Sequence, residues 1–240
     1  MNAHAAQNFE HHICRNIYPG RGIVIGQSAV ADAWIQIYWI MGRSENSRNR
    51  KFVADGPLLR TEPVDRANVE DPSLIMYDAM LELPGIYLVT NGDQTRTLYD
   101  TLEHGGTFDD ALNTREREPD APNYTPRISG MVDLREGQPP VCLNVLKANA
   151  VDPALTDRAT YRPAFPQTGL GYCITTYMAD GNPLPPFTGE PVLLPCEGSA
   201  EDIVKTYWDA LNADNRIALA VKQIPANGGD STLLIKNRYA

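Results

Sequence analysis

The chain has 240 residues, 42 % hydrophobic and 21 % charged, the composition of an ordinary globular protein with room for one large domain or two small ones. Its net charge is −9. Nucleic acids and anionic membranes require a basic surface, so neither is expected as a partner, whereas an anionic small molecule responds only to the local field.

In chain order, residues 1–17 read as a polar leader that packs loosely or extends a sheet edge, and His11-His12 reads as part of a solvated tail. Residues 21–27 form a strand. Its near-continuous Ile23-Val24-Ile25 run predicts burial on both faces. Residues 33–41 are its hairpin partner, with Trp34, Gln36, Tyr38 and Ile40 on one side and Ile35, Ile37, Trp39 and Met41 on the other. Residues 42–50 are a polar loop carrying Arg43, Arg48 and Arg50. Residues 51–55 are a short strand and 56–72 a charged connection. Residues 74–83 fit helix or strand. The tight Pro84-Gly85 turn before the next strand favours strand, and that puts Tyr77 on a sheet face.

Residues 86–89 are a short buried strand that stops at Thr90-Asn91-Gly92, a strong turn signal. Asp93 stands where an N-cap belongs, ahead of a helix over 94–104 closed by Gly105-Gly106. Thr107 and Asp110 have capping-box spacing. Residues 127–134 and 141–147 read as a hairpin, 152–171 as irregular and 172–178 as a strand. Residues 181–198 carry five prolines and three glycines, yet Val192-Leu193-Leu194 demands burial, which favours an ordered loop over a linker. Ser199 caps an amphipathic helix, and residues 216–224 and 231–238 form a last hairpin. Many strands and hairpins with few helices predict an α+β fold with large antiparallel sheets.

The four cysteines are scattered, which leaves reduced core thiols, a disulfide or a nucleophile open and favours the first. The histidines do not recur at ligand spacing, so no metal is expected. The first ten residues lack an apolar signal region and the longest apolar run, 33–41, is too short to span a bilayer; the expected location is cytoplasmic.

A strand that ends in small polar residues beside a helix N-terminus is suited to a polar or anionic ligand. Five pieces recur in a fixed order: Tyr18-Pro19-Gly20-Arg21 opening a strand, Arg43-Ser44 followed by Asn49-Arg50, Tyr77, Thr90-Asn91-Gly92, and Thr125-Pro126-Arg127-Ile128. Together they resemble the archaeal-type inosine monophosphate (IMP) cyclohydrolase family, most closely over residues 18–134 and then through Thr176-Tyr177 and the helix after Ser199. Two departures stand out. Gln94 follows Thr-Asn-Gly where some relatives carry histidine, and Asn123-Tyr124 is transposed relative to some relatives.

The resemblance implies a four-layer αββα sandwich similar to the N-terminal-nucleophile hydrolases, spanning a single domain over 18–240. It implies ring closure of 5-formamidoimidazole-4-carboxamide ribonucleotide to IMP, without cofactor, by a homo-oligomeric enzyme. On this reading Tyr77, Glu118 and Asn91 are catalytic, with Glu116 open as the alternative carboxylate. Arg21, Arg43, Asn49, Arg50, Thr90, Gly92, Asn123, Tyr124, Thr125, Arg127 and Tyr177 bind substrate. Arg43, Arg50 and Arg127 are expected to converge on one anion pocket. The competing reading is a non-catalytic purine-nucleotide-binding or regulatory protein on the same scaffold; an N-terminal-nucleophile amidohydrolase would need a processed Ser, Thr or Cys terminus.

Overall fold

The alternation along residues 33–41 organises the molecule. The computed structural model describes residues 2–69, 75–164 and 167–239. There, Trp34, Tyr38 and Ile40 enter one core cluster while Ile35, Ile37, Trp39 and Met41 enter another, so one strand is packed on both faces. Two antiparallel sheets follow. The first runs β11 (Val192–Pro195), β10 (Leu170–Thr175), β1 (Gly22–Gln27), β2 (Ala33–Met41), β12 (Arg216–Pro225) and β13 (Thr232–Asn237) from edge to edge. The second runs β3 (Lys51–Asp55), β4 (Leu58–Glu62), β5 (Asp78–Leu83), β6 (Ile86–Thr90), β7 (Arg127–Asp133), β8 (Val141–Ala148) and β9 (Thr156–Tyr161).

The sheets face each other through Ile23, Ile25, Ala218 and Ala220 on one side and Val89, Ile128, Val132 and Leu143 on the other. The outer face of the first sheet is covered by α1 (Ala3–Phe9), its π-helical continuation Glu10–Cys14, and α5 (Ala200–Ala210), through Ile13, Ile203, Tyr207 and Trp208. The outer face of the second is covered by α3 (Gln94–Glu103) and α4 (Phe108–Asn113), through Leu98, Leu102, Phe108 and Leu112. A one-turn helix α2 (Glu45–Arg48), capped by Ser44, follows β2. The layers are helix, sheet, sheet, helix. The expected α+β architecture with two antiparallel sheets is therefore the one observed.

Several local expectations need correction. Residues 1–17 are not a loose leader. Ala5 and Ile13 are fully buried, and Phe9 packs edge-on against Tyr207, ring centroids 5.1 Å apart. The connection 56–72 contains β4 and a 3-10 turn at Arg66–Asn68. In β4 the inward positions are Leu59 and Thr61, and the threonine masks the alternation. The irregular stretch 152–171 contains β9, an edge strand of half-exposed polar residues held to β8 by backbone pairing. Residues 70–72, 74 and 165–166 lie outside the described residues; the strand expected over 74–83 begins only at Asp78, so Tyr77 precedes that strand instead of lying within it. Asp93 makes no capping hydrogen bond to α3. Thr107 and Ser199 do form their capping boxes, with Asp110 and Asp202. Cys142, Cys173 and Cys196 are buried free thiols and Cys14 is an exposed one; burial pushes Cys196 up to about 12.

Candidate active site

At one end of the sandwich β1 begins, β2 ends, β10 ends, β6 ends and β7 begins. Most of the motif residues gather there. The chain reaches β1 through Gly20, whose φ of +72° suits glycine, and Arg21 is locked to the end of β10 by reciprocal bonds with Thr176. The guanidinium then turns inward. Arg21 Nη1 donates to Glu118 Oε1 at 2.8 Å, with the two side chains 12 % and 6 % exposed. Burial works against the Arg21 charge, but the Glu118 carboxylate together with the Tyr77, Tyr38 and Tyr177 phenols outweighs it, holding the guanidinium well above its ordinary value.

Glu118 is placed by its own loop. Its amide donates to the Thr125 carbonyl, and Asp120 accepts from both the amide and the hydroxyl of Thr125. Glu116, two residues earlier, is 60 % exposed and paired with Arg158 at the surface. Of the two carboxylates left open by the sequence, Glu118 is thus the one facing the buried arginines.

Arg50, leading into β3, joins this group. It is 7 % exposed, its Nε has no hydrogen-bond partner, and it makes no ion-pair contact among the described residues. Burial and the like charge of Arg21 push its guanidinium below the ordinary value. Tyr77 is held by Thr61, whose hydroxyl accepts from the Tyr77 amide at 3.1 Å. Its phenol oxygen lies 2.6 Å from that of Tyr38. Burial first, then Tyr77, raise Tyr38 well above the ordinary tyrosine value. Two arginines, one carboxylate and two phenols thus share one buried space with a surplus positive charge. That arrangement can hold an anion and move protons beside it.

A second wall adjoins it. Tyr177 Oη and Thr125 Oγ1 are 2.6 Å apart, and burial pushes the Tyr177 phenol up to about 12. Tyr18 stacks on Tyr177, Arg43 lies over the Tyr18 ring with its guanidinium carbon 4.7 Å from the centroid, and Arg43 pairs with Asp180. Burial raises the Tyr18 phenol above its ordinary value, and the charges of Arg21, Arg43 and Arg50 work against that rise.

The expected convergence of Arg43, Arg50 and Arg127 is corrected for Arg127. Ile128 points between the sheets, so Arg127 points the other way, to the helix-covered face. There it donates to Asp93 at 2.7 Å, to Gln94 at 2.9 Å and to the Glu116 carbonyl at 2.9 Å. Asp93 pairs with Arg115 as well. Gly92 has a steric role: a Cβ there would lie 2.7 Å from Arg127 Nη1. Asn91 ties the turn together. Its amide donates to the Pro126 carbonyl and accepts from the Ile128 amide and the Gln94 side chain. Thr90 bonds Gly92 and Thr95 within the same turn.

The remaining candidates organise loops. Asn49 is bonded on both sides to residues 65–68, along a cleft of about 660 Å³. Asn123 accepts from the Leu184 amide. Tyr124 adopts a left-handed backbone, φ +43°, under Arg117, 4.4 Å from its ring centroid. Sequence reading did not single out Tyr38, although a signal existed. A phenol on the inner face of a fully buried strand must find a partner.

Among the described residues no helix is long and apolar enough to cross a membrane. No curated protein matches the chain. Residues 18–228 match the family described as IMP cyclohydrolase-like protein, to which this chain belongs.

Proposed function

We propose that the chain is an IMP cyclohydrolase, closing the purine ring of 5-formamidoimidazole-4-carboxamide ribonucleotide with loss of water. The observation that carries this reading is the buried group of Arg21, Arg50, Glu118 and Tyr77, with Arg50 lacking a counter-anion among the described residues. A free buried cation is costly, and an anionic substrate offsets that cost. Arg50 is therefore the anchor for the substrate's phosphate, with Arg43 over the Tyr18 ring at the border of the site. The Tyr18–Tyr177 wall and Thr125 border the same space.

The reaction is intramolecular, so alignment supplies much of the barrier reduction, on the order of 7 kcal/mol or more in favourable cases. In the first step the carboxamide nitrogen bonds to the formyl carbon and gives one proton to Glu118. The formyl C=O becomes a hydroxyl as Tyr77 gives it a proton. In the second step the protonated Glu118 returns its proton to that hydroxyl, which leaves as water. The C=N bond forms as the formamido N–H proton returns to the Tyr77 phenolate. Both side chains end as they began. Arg21 holds Glu118 in place and keeps it an acceptor until the nitrogen is delivered.

Asn91, Thr90, Gly92 and Arg127 serve as support in this reading: they fix where β7 starts and hence where the 118–126 loop returns. The binding-only alternative would be favoured by a tyrosine and carboxylate turned away from converged arginines; here Glu118 and Tyr77 face Arg21 and Arg50. The test is a spectroscopic assay of ring closure with the purified chain, run with and without a chelator. We expect turnover unaffected by chelation, because loss of water from an amide-formyl pair needs no Lewis acid. Tight substrate binding without turnover would give the protein to the binding-only reading.

A further inference from the structure

Two phenol oxygens meet in the interior beside the charges of the site. Tyr38 comes from β2 in the first sheet and Tyr77 immediately precedes β5 in the second, so their 2.6 Å contact crosses the gap between the sheets. The Tyr38 ring is fully buried and packs on Phe52, centroids 5.3 Å apart. A hydroxyl carries one proton and accepts through its lone pairs. If Tyr77 donated to Tyr38, it would have no proton to offer a substrate. If Tyr38 donates, the Tyr77 proton is free to point elsewhere.

We propose that Tyr38 is the positioning residue for Tyr77: its hydroxyl donates to the Tyr77 oxygen, turns the Tyr77 proton toward the space shared with Arg21 and Arg50, and holds the phenolate left when that proton departs. The proposal rests on the ring-closure reading above. Three charged groups face the pair. Arg21, Arg50 and Glu118 reach it from the segments before β1, β3 and β7. Burial keeps Tyr38 protonated far above neutral pH, so it has a proton to donate. The proton count is simple. The Tyr77 O–H bond breaks as the substrate O–H bond forms, the formamido nitrogen later returns a proton to Tyr77, and the Tyr38 O–H bond stays intact throughout.

The experiment uses the full chain with Tyr38→Phe, which keeps the ring and its packing on Phe52. Its melt is expected within a few degrees of the parent. The expected kinetic effect is a fall in kcat of about tenfold with KM unchanged. The alkaline limb of kcat, where Tyr77 loses the proton it must donate, should move to higher pH because the phenolate has lost its donor. In a Tyr77→Phe background, Tyr38→Phe should cost nothing further in kcat. An unmoved alkaline limb, or additive losses in the double variant, overturns the proposal; a merely structural role produces that result. Ultraviolet titration of tyrosinate separates this from the functional reading. The ionisation that disappears in Tyr77→Phe must occur at higher pH in Tyr38→Phe whether or not the chain closes purine rings. Ionisation at the same pH in both proteins refutes the pairing, whereas absent turnover with a shifted titration refutes only the ring-closure reading.

Discussion

Tyr77 and Arg50 carry the sharpest consequences at the level of single residues. Tyr77 is 7 % exposed and its backbone is held by Thr61. Tyr77→Phe should therefore keep the fold while lowering kcat roughly 10²-fold, the low end for losing a positioned proton-transfer group, with little change in KM. Steady-state kinetics beside a thermal melt decides this; an unchanged kcat with altered stability would reduce Tyr77 to a core aromatic. Arg50 makes the opposite kind of case. It is a buried cation beside another cation, so its charge costs stability in the free protein. Arg50→Met should leave the melting temperature unchanged or raise it, while KM rises on the order of tenfold or more as uniform binding is lost. A large fall in melting temperature with KM intact would make Arg50 a structural residue. The resemblance of the motifs to the family nominated Arg50 and Tyr77. It did not nominate Tyr38, because the partner that gives Tyr38 a role lies in the other sheet.

At the level of elements, the helical segment 3–14 is the clearest departure from expectation. Its sequence is polar and short, so a helix there gains little from propensity. It forms because Asn2 caps it, bonding the amides of His4 and Ala5, and because Ile13 is buried among Tyr18, Trp39 and other residues of the outer cluster. Ile13→Ala should then cost about 2–5 kcal/mol, the range for a buried aliphatic truncation. Urea denaturation measures it, and a loss below about 0.5 kcal/mol, as for a surface site, would restore the loose leader. Thr107 and Ser199 were legible as caps because a capping box is closed within four residues of chain. Strands β4 and β9 were not. Their pairing uses backbone groups that every residue carries, and their inward or edge positions are threonine and other polar residues.

For the whole molecule, acid is the informative stress. Several carboxylates are held below their ordinary values of 3.8 for aspartate and 4.5 for glutamate. They include Asp93, where burial opposes and Arg115 and Arg127 prevail, and Glu116, bonded to Thr156 and Arg158. A carboxyl lowered in the folded state stabilises fully above its unfolded value and loses that contribution as pH falls through the folded value. The urea midpoint should therefore be flat down to about pH 4.5 and fall below it, and Asp93→Asn should make that fall shallower. Both carboxylates are more than half exposed, so salt should weaken the effect. A midpoint that rises on acidification would contradict the sign. The same acidic chain keeps one buried positive site at a sandwich end, which gives an anionic ligand a local destination despite the net charge of −9.

By itself, the sequence determined the strands with apolar runs, the two-faced burial of residues 33–41, the capped helices and the family to which the motifs belong. Those features depend on periodicity and on contacts within a few residues. Only the tertiary structure decided that Glu118 rather than Glu116 faces Arg21, that Arg127 turns to the helix side with Asp93, and that Tyr38 meets Tyr77. These meetings join segments far apart in the chain. They follow from strand register and sheet stacking, where a shift of one residue sends each side chain to the opposite face.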